Sequence, residues 1–172
     1  MNKTKNLVYS AFFIALGIVL PIVFHAFGKA GNVLLPMHIP VLIAGMLLSP
    51  SYALMIGMVT PILSSVLTSM PPLMPMLPIM VFELGTYGFI AAIMIKRYKV
   101  SVIVALLVSM VIGRLVAGLV VYLMTTLFLV KMPSPIAFVT GAVATGLPGI
   151  VIQLILVPVV VYAIEKSKII EK

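Results

Sequence analysis

The sequence predicts an all-α integral membrane protein, a single bundle of six transmembrane helices, and three observations lead there. Of 172 residues, 63% are hydrophobic and only 8% are charged, whereas an ordinary soluble domain carries about 25% charged residues. The mean hydropathy is +1.35. So few polar groups cannot cover a water-facing surface, so lipid must be the solvent. The apolar residues also fall into six runs, and a spanning helix needs roughly 20 of them. Residues 1–172 are therefore expected to form one six-helix domain, leaving no length for a soluble catalytic unit.

The first run, Leu7–Phe24, follows Lys3 and Lys5. It is longer than the core of a signal peptide, and no small-x-small cleavage site follows, so it is read as a span. Ala11 and Ala15 lie four apart on it, a spacing that lets another helix approach closely; contact within the bundle is the simplest use. The second run, Leu34–Leu48, is short, and Pro36 and Pro40 make its entry irregular. Irregular backbone at membrane depth must be buried in protein or face a water-filled cavity. The third and fourth runs, Tyr52–Thr68 and Pro78–Ile95, flank a segment carrying Met70, Met74, Met76 and Met80 with Pro71, Pro72, Pro75 and Pro78. The prolines keep that segment from becoming helix, and methionine packs adaptably around irregular shapes, so a roof or gate is expected there. The last runs, Val100–Phe128 and Pro135–Ile164, exceed the bilayer thickness; tilt, kinks at Pro148 and Pro158, or protrusion must absorb the excess.

A net charge of +8 raises the question of nucleic acid. The basic residues, however, punctuate the ends of apolar runs instead of forming a surface, which is how topology is specified. With the N-terminus cytoplasmic, Lys3, Lys5, Lys96, Arg97, Lys99, Lys166, Lys168 and Lys172 fall inside, Lys29 and Lys131 outside, and Arg114 within a span. Both termini are thus expected in the cytoplasm. The absence of cysteine removes disulfides, thiolate metal sites and cysteine nucleophiles. Neither a GxxxxGK[ST] loop nor an H-E-x-x-H motif occurs, so no enzyme activity, metal or cofactor is expected, and ATP dependence would have to come from a partner. His25 is expected at the outer interface, apart from His38.

Polar residues inside spans are costly unless they face the bundle interior. The candidates are His38, Ser64, Glu83, Arg114 and Gln153, one from each of the last five runs. Counting from the nearest cytoplasmic turn at 1.5 Å per residue puts Glu83 and Arg114 at about 20 Å, with Gln153 (counted back from Lys166) and Ser64 (counted from Ser51) close to that level and His38 slightly lower. Five helices would then contribute to one polar layer in the outer half of the membrane. Such a layer suits a mostly apolar small-molecule site with a few convergent polar groups. Glu83 and Arg114 either contact a polar substrate or hold each other as a structural ion pair. Ser64 and Gln153 could equally serve as interhelical hydrogen-bond partners, and His38 could satisfy loose backbone at a broken helix start. Without tryptophan, aromatic contact would come from Tyr87, Tyr122 or phenylalanines. A stand-alone secondary transporter or small channel using Glu83 as a proton or cation site is the alternative reading.

Across its whole length the chain resembles the substrate-binding S component of energy-coupling factor (ECF) transporters, an ABC-type class of vitamin importers. The resemblance rests on six short-looped helices after a basic N-terminus, on Ala11-x-x-x-Ala15, and on Leu35-Pro36-Met37-His38-Ile39-Pro40 followed by Gly45 and Pro50. That last stretch is similar to the second-helix region of the folate, riboflavin, pantothenate and cobalamin group. The resemblance implies a multi-pass protein of the bacterial plasma membrane that captures a vitamin-like molecule from outside. It also implies delivery by docking on a transmembrane T component bound to two cytoplasmic ATPases, with Ala11 and Ala15 forming the docking face. His38, Ser64, Glu83, Tyr87, Arg114 and Gln153 would line the substrate site. The vitamin stays open.

Overall fold

The computed structural model describes residues 3–25 and 33–167. Lys29, expected outside, Lys168 and Lys172, expected in the cytoplasm, and the His25 side chain, expected at the outer interface, lie outside the described residues. Among the described residues six helices follow one another: α1 (Lys3–His25), α2 (His38–Leu47), α3 (Pro50–Thr68), α4 (Met76–Lys96), α5 (Val102–Thr126) and α6 (Pro135–Lys166). Five are long and apolar enough to cross a membrane.

The exception corrects the expectation of six full spans. Residues 34–48 are not one helix: α2 has ten residues, about 15 Å, half of a hydrocarbon core of about 30 Å. Leu35 sits at φ 50°, and His38 N–H donates to the Leu35 carbonyl at 3.0 Å. The chain therefore turns at Leu35-Pro36 and becomes helix only from His38. Every residue of α2 is buried, and of its irregular entry Pro36 and Met37 are buried while Leu35 is half-buried, so most of that irregular backbone is covered by protein.

Packing makes α2 the hub. It touches α1, α3, α4, α5 and α6, while the long helices meet in the sequence α1–α3, α3–α4, α4–α5 and α5–α6. Small residues permit the closest approaches. A Cβ on Gly57 would run into the backbone of Leu84, one on Gly88 into the Ala53 carbonyl, and one on Gly45 into Gly88 and Ala91. Without side chains at these points the helix backbones come nearly into contact, which raises dispersion and packing energy where no hydrophobic effect acts between helices. The core that results runs through Val41, Leu42, Ala44, Ile56, Leu84, Ala91 and Leu106, all fully buried. Outward faces are apolar too, with Leu7, Phe12, Val19, Val111, Leu115, Val151 and Ile155 exposed, as helices facing lipid tails require.

Helix ends are fixed locally. Ser101 and Ser134 side chains accept from Val104 N–H and Ala137 N–H, the N-cap arrangement, and Pro50 and Pro135 occupy first-turn positions. After α4 and α5 the chain reverses through Schellman-type bonds, Val100 N–H to Met94 and Val130 N–H to Met124. The left-handed residues there are Lys99 (φ 52°) and Leu129 (φ 51°). The α4 terminus also holds α2: Lys96 Nζ donates to the Leu47 carbonyl at 2.9 Å, an orphan acceptor at the end of a helix.

Candidate functional site

Glu83 and Tyr87 are four apart on α4 and so share one face. Tyr87 Oη donates to Glu83 Oε1 at 3.1 Å. Since α4 and α5 are antiparallel across a five-residue turn, residues at matched distances from it face each other, and Arg114 reaches the same Oε1 with Nη1 at 2.8 Å. Close approach depends on Gly113, where any Cβ would overlap the Tyr87 ring. His38, the first residue of α2, brings Nε2 to 4.0 Å from Glu83 Oε1 and sets its ring edge-on to Tyr87, centroids 5.4 Å apart at 63°. One carboxylate oxygen is thus the focus of side chains from three helices, and Glu83, Tyr87 and His38 are all buried.

The Glu83–Arg114 contact is a direct ion pair. Each charge offsets much of the desolvation cost of the other, so the cluster can be neutral at membrane depth. It leaves hydrogen-bonding capacity unused. Both His38 ring nitrogens, Arg114 Nε and Gln153 Nε2 are buried with no partner among the described residues. A buried donor or acceptor in that state costs about 1–3 kcal/mol, which a polar ligand would recover.

Gln153 is buried on the α6 face that carries Gly146 and Gly149. That face is shaped for the turn before α2: a Cβ on Gly149 would strike the Val33 and Leu34 backbone, and one on Gly146 would crowd Leu35 and come within 3.8 Å of Arg114 Nη2. Gln153 lies one turn further along. No hydrogen bond joins it to the Glu83 cluster.

Ser64 is placed elsewhere than the shared layer required. With Gly57 against Leu84 and Gly88 against Ala53, Ser64 stands opposite Leu77, about 9 Å from the level of Glu83. Its hydroxyl donates to the Met70 carbonyl at 2.7 Å, while Ser65 donates to Pro71 at 2.7 Å. The two serines, with Thr68 bonded to Met70, tie down the proline-rich segment. Met70 and Met74 are exposed there, whereas Met80 packs on the main core and Met76 on a smaller cluster with Ile79, Val121 and Met124. The four methionines therefore do not form one roof. Tyr122 is exposed and takes no part in the cluster.

Ala11 and Ala15 face outward, which overturns contact within the bundle as their use. The inward face of α1 carries Phe13 and Gly17 instead, with Thr60 packed on Gly17. Residues that sequence reasoning passed over are Gly113, Gly146 and Gly149. Their only trace in the sequence was the spacing of glycines inside apolar runs.

No group of three or more His, Asp or Glu side chains among the described residues is placed to hold a metal. No curated protein and no solved structure matches the chain. A family does, described as "ECF transporter, substrate-specific component", over residues 5–161. The chain belongs to that family, and it is accordingly a multi-pass membrane protein and the substrate-binding subunit of an ECF transporter, a transport component and not an enzyme.

Proposed function

We propose that this subunit binds a vitamin-like small molecule through His38, Glu83, Tyr87, Arg114 and Gln153, with Ser64 holding the Met70–Pro71 segment beside the site. The observation that carries this reading is the set of buried nitrogens without a hydrogen-bond partner, on His38 and Arg114 beside a neutralised ion pair and on Gln153 of α6. They offer directed hydrogen bonds without net charge, the combination a mostly apolar binding site needs for orientation. The whole chain, residues 1–172, acts as one six-helix unit of the bacterial plasma membrane with both termini cytoplasmic. The basic residues at the α4–α5 turn and the end of α6 support this orientation.

Delivery follows by docking on a transmembrane T component served by two cytoplasmic ATPases. The outward position of Ala11 and Ala15 supports this assignment, since an exposed small-residue stripe can receive a partner helix. The alternative, a stand-alone carrier using Glu83 as a proton or cation site, is less well supported because Arg114 and Tyr87 already occupy that carboxylate.

The test is purification from rich medium with mass-spectrometric identification of the retained molecule, followed by binding to Gln153→Leu and Arg114→Gln proteins that remain folded. Affinity should fall at least tenfold in each, the equivalent of about 1.4 kcal/mol; unchanged affinity in both would remove these residues from the site. Ala11→Trp and Ala15→Trp should abolish uptake and leave binding intact.

A further inference from the structure

We propose that the subunit carries a second binding site, for the phosphate of an anionic phospholipid, at its basic end. A cavity of about 400 Å³ opens where the α4–α5 turn meets the end of α6, lined by Lys96, Lys99, Ser101, Val102, Tyr162 and Glu165 among others. It is remote from the Glu83 cluster: Lys96 lies thirteen residues along α4 from Glu83, about 20 Å.

Charge selects the occupant. Two lysines face one carboxylate in the lining, and Arg97 and Lys166 adjoin it in sequence, so the site is net positive. Lys99 is held in place by the turn, at φ 52° between Tyr98 N–H bonded to Ile93 and Val100 N–H bonded to Met94. The cavity also opens on the first turn of α5, where Ser101 caps Val104 N–H and the Val102 and Ile103 N–H groups have no intrahelical acceptor and favour an anion. Its other side is apolar and faces the membrane: Val102 and Tyr162 line it, and Ile103, Val159 and Tyr162 are exposed beside it. A ligand with a phosphate at one end and acyl chains at the other matches both halves. Basic pockets between transmembrane helices take anionic head groups in this way, and Tyr98 and Tyr162, both exposed, suit the membrane interface.

The experiment is native mass spectrometry of the purified full chain in an uncharged detergent, titrated with dioleoyl phosphatidylglycerol or dioleoyl phosphatidylcholine. Phosphatidylglycerol should bind the more tightly. Lys99→Gln should weaken it about fivefold, the loss expected for one lysine at a membrane surface, while Lys99→Arg and Lys131→Gln leave it unchanged. Glu165→Gln should strengthen it by a similar factor, the reverse of what local damage would do. Equal affinity for the two lipids overturns the proposal. So does a Lys99→Gln protein that keeps its preference, an equal loss in Lys131→Gln, or weaker binding in Glu165→Gln. Displacement of the lipid by millimolar inorganic phosphate at constant ionic strength would likewise overturn it, in favour of a free-phosphate site.

Discussion

Glu83 Oε1 accepts from Arg114 and Tyr87 at once, so its neighbours are not independent contributors. Glu83→Gln leaves a guanidinium in a site with no anion, and Arg114→Gln leaves a carboxylate with no cation. Breaking a buried pair from either side costs about 3–5 kcal/mol. Removing both partners abolishes the uncompensated charge, so the double variant should be destabilised by clearly less than the sum, with a coupling of about 1–3 kcal/mol. Chemical unfolding in detergent measures all four corners of that cycle; additive losses would show that the pair contributes nothing as a pair. Tyr87→Phe removes one hydrogen bond to a charged acceptor and should cost about 1.5–3 kcal/mol, with the Arg114 contact retained. At this scale the sequence was informative about chemistry and blind to pairing. Glu83 and Arg114 stood out because charges are rare at membrane depth. Ser64 was misplaced because depth was counted from Ser51 as though that residue lay level with Lys96. In the observed register Ser51 stands opposite Ile90, since the α2–α3 turn is recessed and Lys96 reaches across to the Leu47 carbonyl.

Helix boundaries were legible because composition and capping agree. The runs Tyr52–Thr68 and Pro135–Ile164 became Pro50–Thr68 and Pro135–Lys166, each opening at a proline that cannot extend a helix backwards. The turns after α4 and α5 were harder to read, because Lys99 and Leu129 occupy left-handed positions that glycine usually marks. The second run failed as a span for a related reason: hydropathy cannot distinguish a lipid-facing helix from a short buried one, and only the hub position of α2 resolves it. Glycines separate packing from mere permissiveness. Gly88→Ala drives a Cβ into the Ala53 carbonyl, and Gly113→Ala into the Tyr87 ring. Each should lose about 1–3 kcal/mol by overpacking, and Gly113→Ala should also weaken substrate binding by displacing Tyr87. Gly141 meets nothing within 4 Å, so Gly141→Ala should be neutral or gain up to about 1 kcal/mol from helix propensity. Unfolding midpoints for the three alanine variants check the ranking, and a Gly141→Ala protein as damaged as Gly88→Ala would refute it.

For the molecule as a whole, a ten-residue helix contacts every other helix among the described residues, so the bundle is built around a segment that cannot cross the membrane by itself. Its first residue, His38, belongs to the Glu83 cluster, and its last, Leu47, is held by Lys96. The hub therefore links the polar cluster to the basic end through one rigid rod about 15 Å long. That geometry gives the orientation a functional meaning: if the basic end is cytoplasmic, the cluster lies toward the outer face, where a substrate for import must enter. The chain contains no cysteine, so single substitutions Lys99→Cys, Lys166→Cys and Met74→Cys each create a unique thiol at an exposed position. In intact cells a membrane-impermeant maleimide should label Met74→Cys and spare the other two, which should react only after the membrane is opened. Labelling of Lys99→Cys from outside would reverse the bundle, directing the His38–Glu83–Arg114 cluster toward the cytoplasm and removing the route by which an importer fills its site. Labelling of Lys99→Cys and Lys166→Cys from opposite sides would be a deeper failure, because both ends line one cavity and no rotation of the bundle could separate them.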